Sequence, residues 1–210
     1  MSNQIQHFPK WEFNYKKAAL LVIDMQNDFV LDGAIMQVPA AKKQLGKISK
    51  LIDACRKVKM PIIYTVHETE PVLCPLELSS FPHLINGGMR RGTKGAMVVD
   101  ELKPQFGDTV LGKRRYSAFY QTELELILRN SVAASGTKGG IDTVVICGTV
   151  TNICCESTAR DAYFRDFKVV FGSDVCSALS EQAHSATLAN MDIFGRVLDS
   201  DTIIKKIASK

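Results

Sequence analysis

The chain repeatedly builds short, unbroken apolar runs that stop at a polar residue: "AALLVID" (18–24), "PIIYTVH" (61–67), "DTVVICG" (142–148) and "KVVFGSD" (168–174). Runs of this length without alternation are the mark of strands covered on both faces, and such strands belong to parallel sheets whose crossovers are helices. "TVLGK" (109–113) and a short stretch at 196–198 read as two further strands. Between the strands lie helical patterns. Residues 39–59 place Leu45, Ile48, Leu51, Ile52 and Cys55 at spacings of three and four, with Pro39 in the first turn. Residues 121–133, 152–165, 181–191 and an amphipathic C-terminal stretch also read as helices. Strand and helix in alternation, with right-handed crossovers, predict an α/β chain: a doubly wound three-layer α/β/α fold with a mostly parallel, about six-stranded sheet.

The remaining bounds come from composition. With 210 residues, 46% of them hydrophobic, the chain can bury one substantial core, so the expectation is a single domain over 1–210 in which the polar residues 1–17 form an N-terminal arm. The net charge of +4 is spread among acidic residues, without a basic stripe interleaved with aromatics, so no nucleic-acid partner is expected. No apolar run approaches the ~20 residues that cross a bilayer, and the N-terminus lacks the pattern of a secretory signal. The expectation is a cytoplasmic protein without membrane contact. Its six cysteines show no repeated spacing and read as free thiols. With no G-x-G-x-x-G motif, no dinucleotide and no other cofactor is expected.

Ligands of open α/β sheets bind beyond the carboxyl ends of the strands, and three residues of complementary chemistry stand there. Asp24 ends the first strand, Lys113 ends the third, and Cys154 follows the fourth by one tight turn. A thiol near a cation or a helix N-terminus is expected to ionise more readily, and a carboxylate beside it can take the proton and later return it to a leaving amine. Each residue also has an ordinary alternative: Asp as a turn former, Lys as a solvated charge, Cys as core filler. Residues 67–108, with four prolines and only short apolar patches, read as a lid or pocket wall.

Three stretches, "LLVIDMQNDF", "KRRYSAF" and "GTVTNICCESTARDA", in this order and at these separations, resemble the isochorismatase-like superfamily of cysteine hydrolases. That superfamily includes nicotinamidases and N-carbamoylsarcosine, ureidoacrylate and biuret amidohydrolases. The resemblance runs from about Ala18 to near the C-terminus. It implies a catalytic triad of Asp24, Lys113 and Cys154, a cis peptide between Thr149 and Val150, and an oxyanion hole made by the backbone N–H groups of Val150 and Cys154. Cys155 then packs as a bystander. Isochorismatases that cleave a vinyl ether lack the cysteine, so Cys154 favours carbon–nitrogen hydrolysis with release of ammonia. The metal site of nicotinamidases uses an Asp-x-His motif after the second strand, whereas "YTVHETEPVLCP" offers His67 without that Asp, and no metal is expected.

By resemblance the ureidoacrylate and biuret type fits best, which makes a small amide, ureido or carbamoyl compound the expected substrate and a homo-oligomer the expected assembly. Gln26, Phe29 and Tyr116 lie within the motifs and are candidate pocket residues, with plain core as their alternative. Arg90, Arg91 and Lys94 are candidates to receive a substrate carboxylate, or else a solvated loop. Asp28 reads as a helix-start residue, Glu156 and Arg160 as a helix-surface pair, and His184 as a packing residue. Other functions stay open at this point: a binding or scaffolding module with a vestigial triad, a nicotinamidase-like or isochorismatase-like hydrolase, and a redox pair at Cys154 and Cys155.

Overall fold

The apolar runs all become strands of one sheet in the computed structural model, which describes residues 11–209. The strands are β1 (Ala18–Ile23), β2 (Ile62–His67), β3 (Thr109–Lys113), β4 (Thr143–Thr149), β5 (Lys168–Ser177) and β6 (Gly195–Leu198). They lie in the order β3-β2-β1-β4-β5-β6, and every neighbouring pair is parallel. The chain therefore starts at the centre, winds outward to β3, then returns beside β1 and winds the other way. The carboxyl ends of β1 and β4 flank the point of reversal, where a crevice must open.

Both faces are covered. Every residue of β1, β2 and β4 is buried, and alternate residues of β1 serve opposite layers. Leu20 and Val22 pack with α2 (Pro39–Lys57) and α7 (Ser200–Ala208) through Ile48, Leu51, Ile203 and Ile207. Leu21 and Ile23 pack with α4 (Leu124–Asn130), α5 (Glu156–Tyr163) and α6 (Glu181–Phe194) through Leu124, Leu128, Ala159 and Met191. Each such side chain contributes roughly 1.5–3 kcal/mol of burial. The doubly wound α/β/α reading of the sequence is what the chain adopts.

Departures from the sequence expectation have local causes. Helix α4 is shorter than the apolar spacing of 121–133 because Gln121 has φ of 52° and Thr122 Oγ1 accepts from Leu124 N at 3.2 Å, which delays the start. The helix expected from residue 152 opens with a π-helical turn, Thr151–Cys155. Of the expected arm 1–17, residues 1–10 lie outside the described residues. Residues 11–17 are docked: Phe13 is buried in the core, Asn14 caps a 3-10 turn at Tyr15–Lys17, and Arg196 donates to the Trp11 carbonyl. Among the described residues no helix is long and apolar enough to cross a membrane.

The irregular segment folds back over the carboxyl edge of the sheet. Short helix α1 (Asn27–Val30) follows β1, and its Asn27 and Asp28 N–H groups donate to Met97 and Gly95 carbonyls at 2.9 and 3.0 Å. Asp28 Oδ2 also accepts from Met89 N, so this residue does more than start a helix. Within the segment lie α3 (Pro75–Ser80) and two 3-10 turns.

Gly148 marks where β1 and β4 come closest. Its φ is 122°, and a Cβ there would stand 2.0 Å from the Ile23 carbonyl oxygen, a backbone atom that cannot swing away. Gly148→Ala is expected to cost about 3 kcal/mol and to lower Tm by roughly 6–12 °C. A thermal melt within 2 °C of the parent would contradict this.

Candidate active site

Four strand ends supply the site. Asp24 follows β1, His67 and Lys113 are the last residues of β2 and β3, and Cys154 stands in the π turn after β4. Parallel register brings them level: His67 pairs with Lys113, and Ile23 pairs with both Thr65 and Gly148. Asp24 adopts φ of 48°, and its N–H donates to Thr65 O and Oγ1, both at 3.1 Å. Thr65 Oγ1 donates back to Asp24 Oδ1 at 2.6 Å, which leaves Oδ2 facing the Lys113 ammonium at 2.8 Å. Lys113 Nζ also reaches Cys154 Sγ at 3.4 Å, His67 Nδ1 at 3.2 Å and the Arg115 carbonyl at 3.0 Å. Asp24 and Lys113 are fully buried and Cys154 is 3% exposed, so water screens these charges little.

The ionisation state differs from the one expected from the sequence. Burial pushes the Cys154 thiol well above its ordinary range, and the Asp24 carboxylate raises it further against the opposing pull of Lys113. The pull of the nearby cation is outweighed, first by burial and then by the Asp24 carboxylate that shares the cation. For Lys113 burial opposes the charge, but Asp24 and Cys154 outweigh it and hold the ammonium above its ordinary value. The resting site is thus a carboxylate–ammonium pair beside a protonated thiol. Chemically, such a set can pass the thiol proton to the carboxylate while the ammonium offsets charge on sulfur.

Sequence reasoning missed His67 as a member of this cluster, along with Glu77. An ammonium can only donate, so Nδ1 of His67 accepts from Lys113, and Nε2 donates to Glu77 Oε1 at 2.9 Å. Asp24, His67 and Cys154 present donor atoms within 4.8 Å of one another, close enough for one cation. Lys113 Nζ touches all three and is that cation. The signal for His67 was available: it closes its strand as Lys113 closes β3. His83 stands apart, with Nε2 against Met36 Sδ at 3.1 Å.

The other candidates separate by burial. Gln26 is buried, and its amide donates to the His67 and Ala96 carbonyls at 2.9 Å each while its Oε1 accepts from His67 N at 2.7 Å. It ties β1, β2 and the irregular segment together. Phe29 is 4% exposed within the core. Tyr116, 39% exposed, stacks on His67 with ring centroids 6.1 Å apart. The peptide joining Thr149 to Val150 is cis. Arg90 spends its guanidinium on the Thr69, Leu84 and Ile85 carbonyls, while Arg91 is exposed. Cys155 is fully buried among Ala159 and Ala162, Glu156 pairs with Arg160 at 2.7 Å, and His184 joins Thr151 Oγ1 at 3.0 Å to the Ser173 carbonyl at 2.9 Å.

Comparison with known proteins fits this arrangement. The isochorismatase domain family matches residues 18–202. The chain is 33% identical over 198 residues to Nicotinamidase 3 of Arabidopsis thaliana, covering 92% of this chain and 90% of the relative. It is 30% identical over 218 residues to the ureidoacrylate amidohydrolase RutB of Yersinia enterocolitica, covering 93% and 91%. A cysteine hydrolase from Pseudomonas syringae pv. phaseolicola has the same fold, with a TM-score of 0.89 at 27% identity over 98% of this chain and 99% of that one. A domain match over most of the chain, together with relatives that align nearly end to end, shows that the chain belongs to the isochorismatase family of hydrolases.

Proposed function

We propose that the protein hydrolyses the carbon–nitrogen bond of a small amide, ureido or carbamoyl compound through an acyl-enzyme on Cys154, with release of ammonia. The observation that carries this reading is the single ammonium of Lys113 in contact with both Asp24 Oδ2 at 2.8 Å and Cys154 Sγ at 3.4 Å. Relatives named for amide hydrolysis support the reaction class.

Cys154 Sγ attacks the carbonyl carbon as its proton moves to Asp24. Charge gathers on the carbonyl oxygen, which the N–H groups of Val150 and Cys154 receive, each donor contributing roughly 3 kcal/mol. Asp24 then returns the proton to the leaving nitrogen, the C–N bond breaks and ammonia departs. Water attacks the thioester, giving a proton to Asp24; the C–S bond breaks and the sulfur recovers its proton. One water is consumed, and one ammonia and one acid are formed, a carboxylic acid from an amide or a carbamic acid from a ureido or carbamoyl compound. Because the thiol rests protonated, attack and proton transfer occur together, and substrate rather than pH triggers them.

The test is ammonia release by the wild type and Cys154→Ser across ureidoacrylate, biuret, N-carbamoyl amino acids, nicotinamide and simple amides. Turnover by the wild type alone, unchanged after treatment with a chelator, is the expected result. Equal turnover by Cys154→Ser would overturn the reading.

A further inference from the structure

We propose that His67 and Glu77 form a positioning pair that holds the Lys113 ammonium against Cys154, tying the docking of α3 to the reactivity of the thiol. This inference rests on the hydrolase reading for its purpose, though not for its measurement.

Lys113 must reach from β3 across β2 to meet a carboxylate on β1 and a thiol after β4. Its flexible stem does not fix that reach, and burying it in one conformer costs rotamer entropy of up to about 2 kcal/mol. Two other oxygens share the ammonium, one from its own chain and one from the far strand. The Arg115 carbonyl, two residues along the same chain, draws it back toward β3 at 3.0 Å, and Asp24 draws it forward at 2.8 Å. The His67 Nδ1 stands on β2, midway along this path, at 3.2 Å. It can serve only while its proton is on Nε2, and Glu77 secures that by accepting the Nε2 proton with Oε1 at 2.9 Å and Oε2 at 3.1 Å. A carboxylate behind a histidine orients ligands of metal ions in the same way, and here an ammonium stands in the metal's place.

Burial supports a built arrangement. His67 is 1% exposed, and both ring nitrogens are engaged, Nδ1 by Lys113 and Nε2 by Glu77, so the ring has little freedom. Glu77 comes from α3 in the irregular segment, the one short helix there that sends a carboxylate to the cluster. The titratable groups around the ammonium and the thiol are Asp24 after β1, His67 from β2, Tyr116 after β3 and Cys155 next to the thiol, with Glu77 from α3 behind the His67 ring. Without the His67 acceptor the pull of Arg115 is less opposed, the charge recedes from sulfur, and the thiol becomes harder to ionise.

Thiol alkylation tests this without a substrate. Iodoacetamide modification is followed at pH 7.5 and located to Cys154 by tandem mass spectrometry. His67→Leu fills the space without an acceptor, and its alkylation is expected to slow about tenfold, the change that one pKa unit produces. His67→Asn, which offers an acceptor near Nδ1, is expected to recover to within about threefold, and Glu77→Gln, which still accepts from Nε2, likewise. In a Lys113→Met background, His67→Leu is expected to add less than about twofold, because a residue acting through Lys113 has nothing left to act on. An unchanged or faster rate in His67→Leu would overturn the proposal. So would an equal effect of Leu and Asn, or a tenfold effect that persists without Lys113. Failure of the hydrolase reading shows separately, as silence in the ammonia assay with these alkylation ratios intact.

Discussion

Cys154→Ala is expected to lower turnover of any accepted substrate by about 10⁴-fold or more, the scale seen when a catalytic triad loses its nucleophile. The variant deletes one sulfur and leaves the Asp24–Lys113 pair and the backbone donors of the turn in place. What remains is an acid–base pair without a nucleophile, so any residual hydrolysis must use water directly. Cys155 offers no substitute, since it is fully buried in the layer that holds Ala159, Ala162 and Cys176, and it is the neighbouring Cys154 Sγ that Lys113 Nζ reaches. Burial and a hydrogen bond with Cys176 both raise its thiol well above the ordinary range. Cys155→Ala is therefore the control: activity within about threefold of the parent, with a stability loss of about 1 kcal/mol for the small cavity. Comparable activity in Cys154→Ala and the parent would remove the nucleophile from the mechanism. A collapse in Cys155→Ala at unchanged Tm would move that role to the neighbour.

How far the sequence goes depends on how local the cause is. The strands were legible because parallel strands are apolar on both sides, so "AALLVI" or "TVVICGT" has no polar face to confuse the pattern. Helix α2 was legible from its spacing and from Pro39. The limits of α4 were not, because a hydroxyl cap and one left-handed residue override the apolar period at Gln121 and Thr122. The π turn at Thr151–Cys155 left no compositional trace, and neither did the extension of β5 to Ser177, where the ladder shifts register after Ile146.

The site divides along the same line. Asp24, Lys113 and Cys154 stand where open sheets collect their chemistry, and the strand-end rule alone brings them together. The same rule reaches His67, which was read instead as a fragment of a missing metal motif. Thr65 and Glu77 lie beyond any such rule. Thr65 is two residues short of its strand end and matters only because the β1–β2 register sets it beside Asp24, while Glu77 arrives through the folding back of an aperiodic segment. The thiol's ionisation is equally beyond a local pattern, because burial and a carboxylate that shares the same ammonium both push its pKa up.

That balance of charges makes Asp24→Asn the more discriminating variant. Turnover is expected to fall by about 10³–10⁴-fold, because no group remains to carry the proton from sulfur to the leaving nitrogen. The thiol is expected to respond in the opposite direction. After burial and the opposing pull of Lys113, the Asp24 charge and its hydrogen bond are what hold the thiol up, and the amide removes that charge. The ammonium keeps its place and loses its carboxylate, so a thiolate becomes its natural partner. The Cys154 pKa falls, more thiolate exists at any pH below the parent's midpoint, and iodoacetamide reacts faster at pH 7.5, by about tenfold for each unit of descent. Lys113→Met reverses the sign. It deletes the charge that favours thiolate, slows alkylation, and leaves a buried carboxylate unpaired at a cost of about 3–5 kcal/mol. A variant that reacts faster with alkylator yet no longer turns over separates nucleophile reactivity from proton delivery, which a vestigial triad has no reason to do. If Asp24→Asn were instead slower toward iodoacetamide, the carboxylate would be stabilising the thiolate, and its assignment as the proton carrier would be wrong.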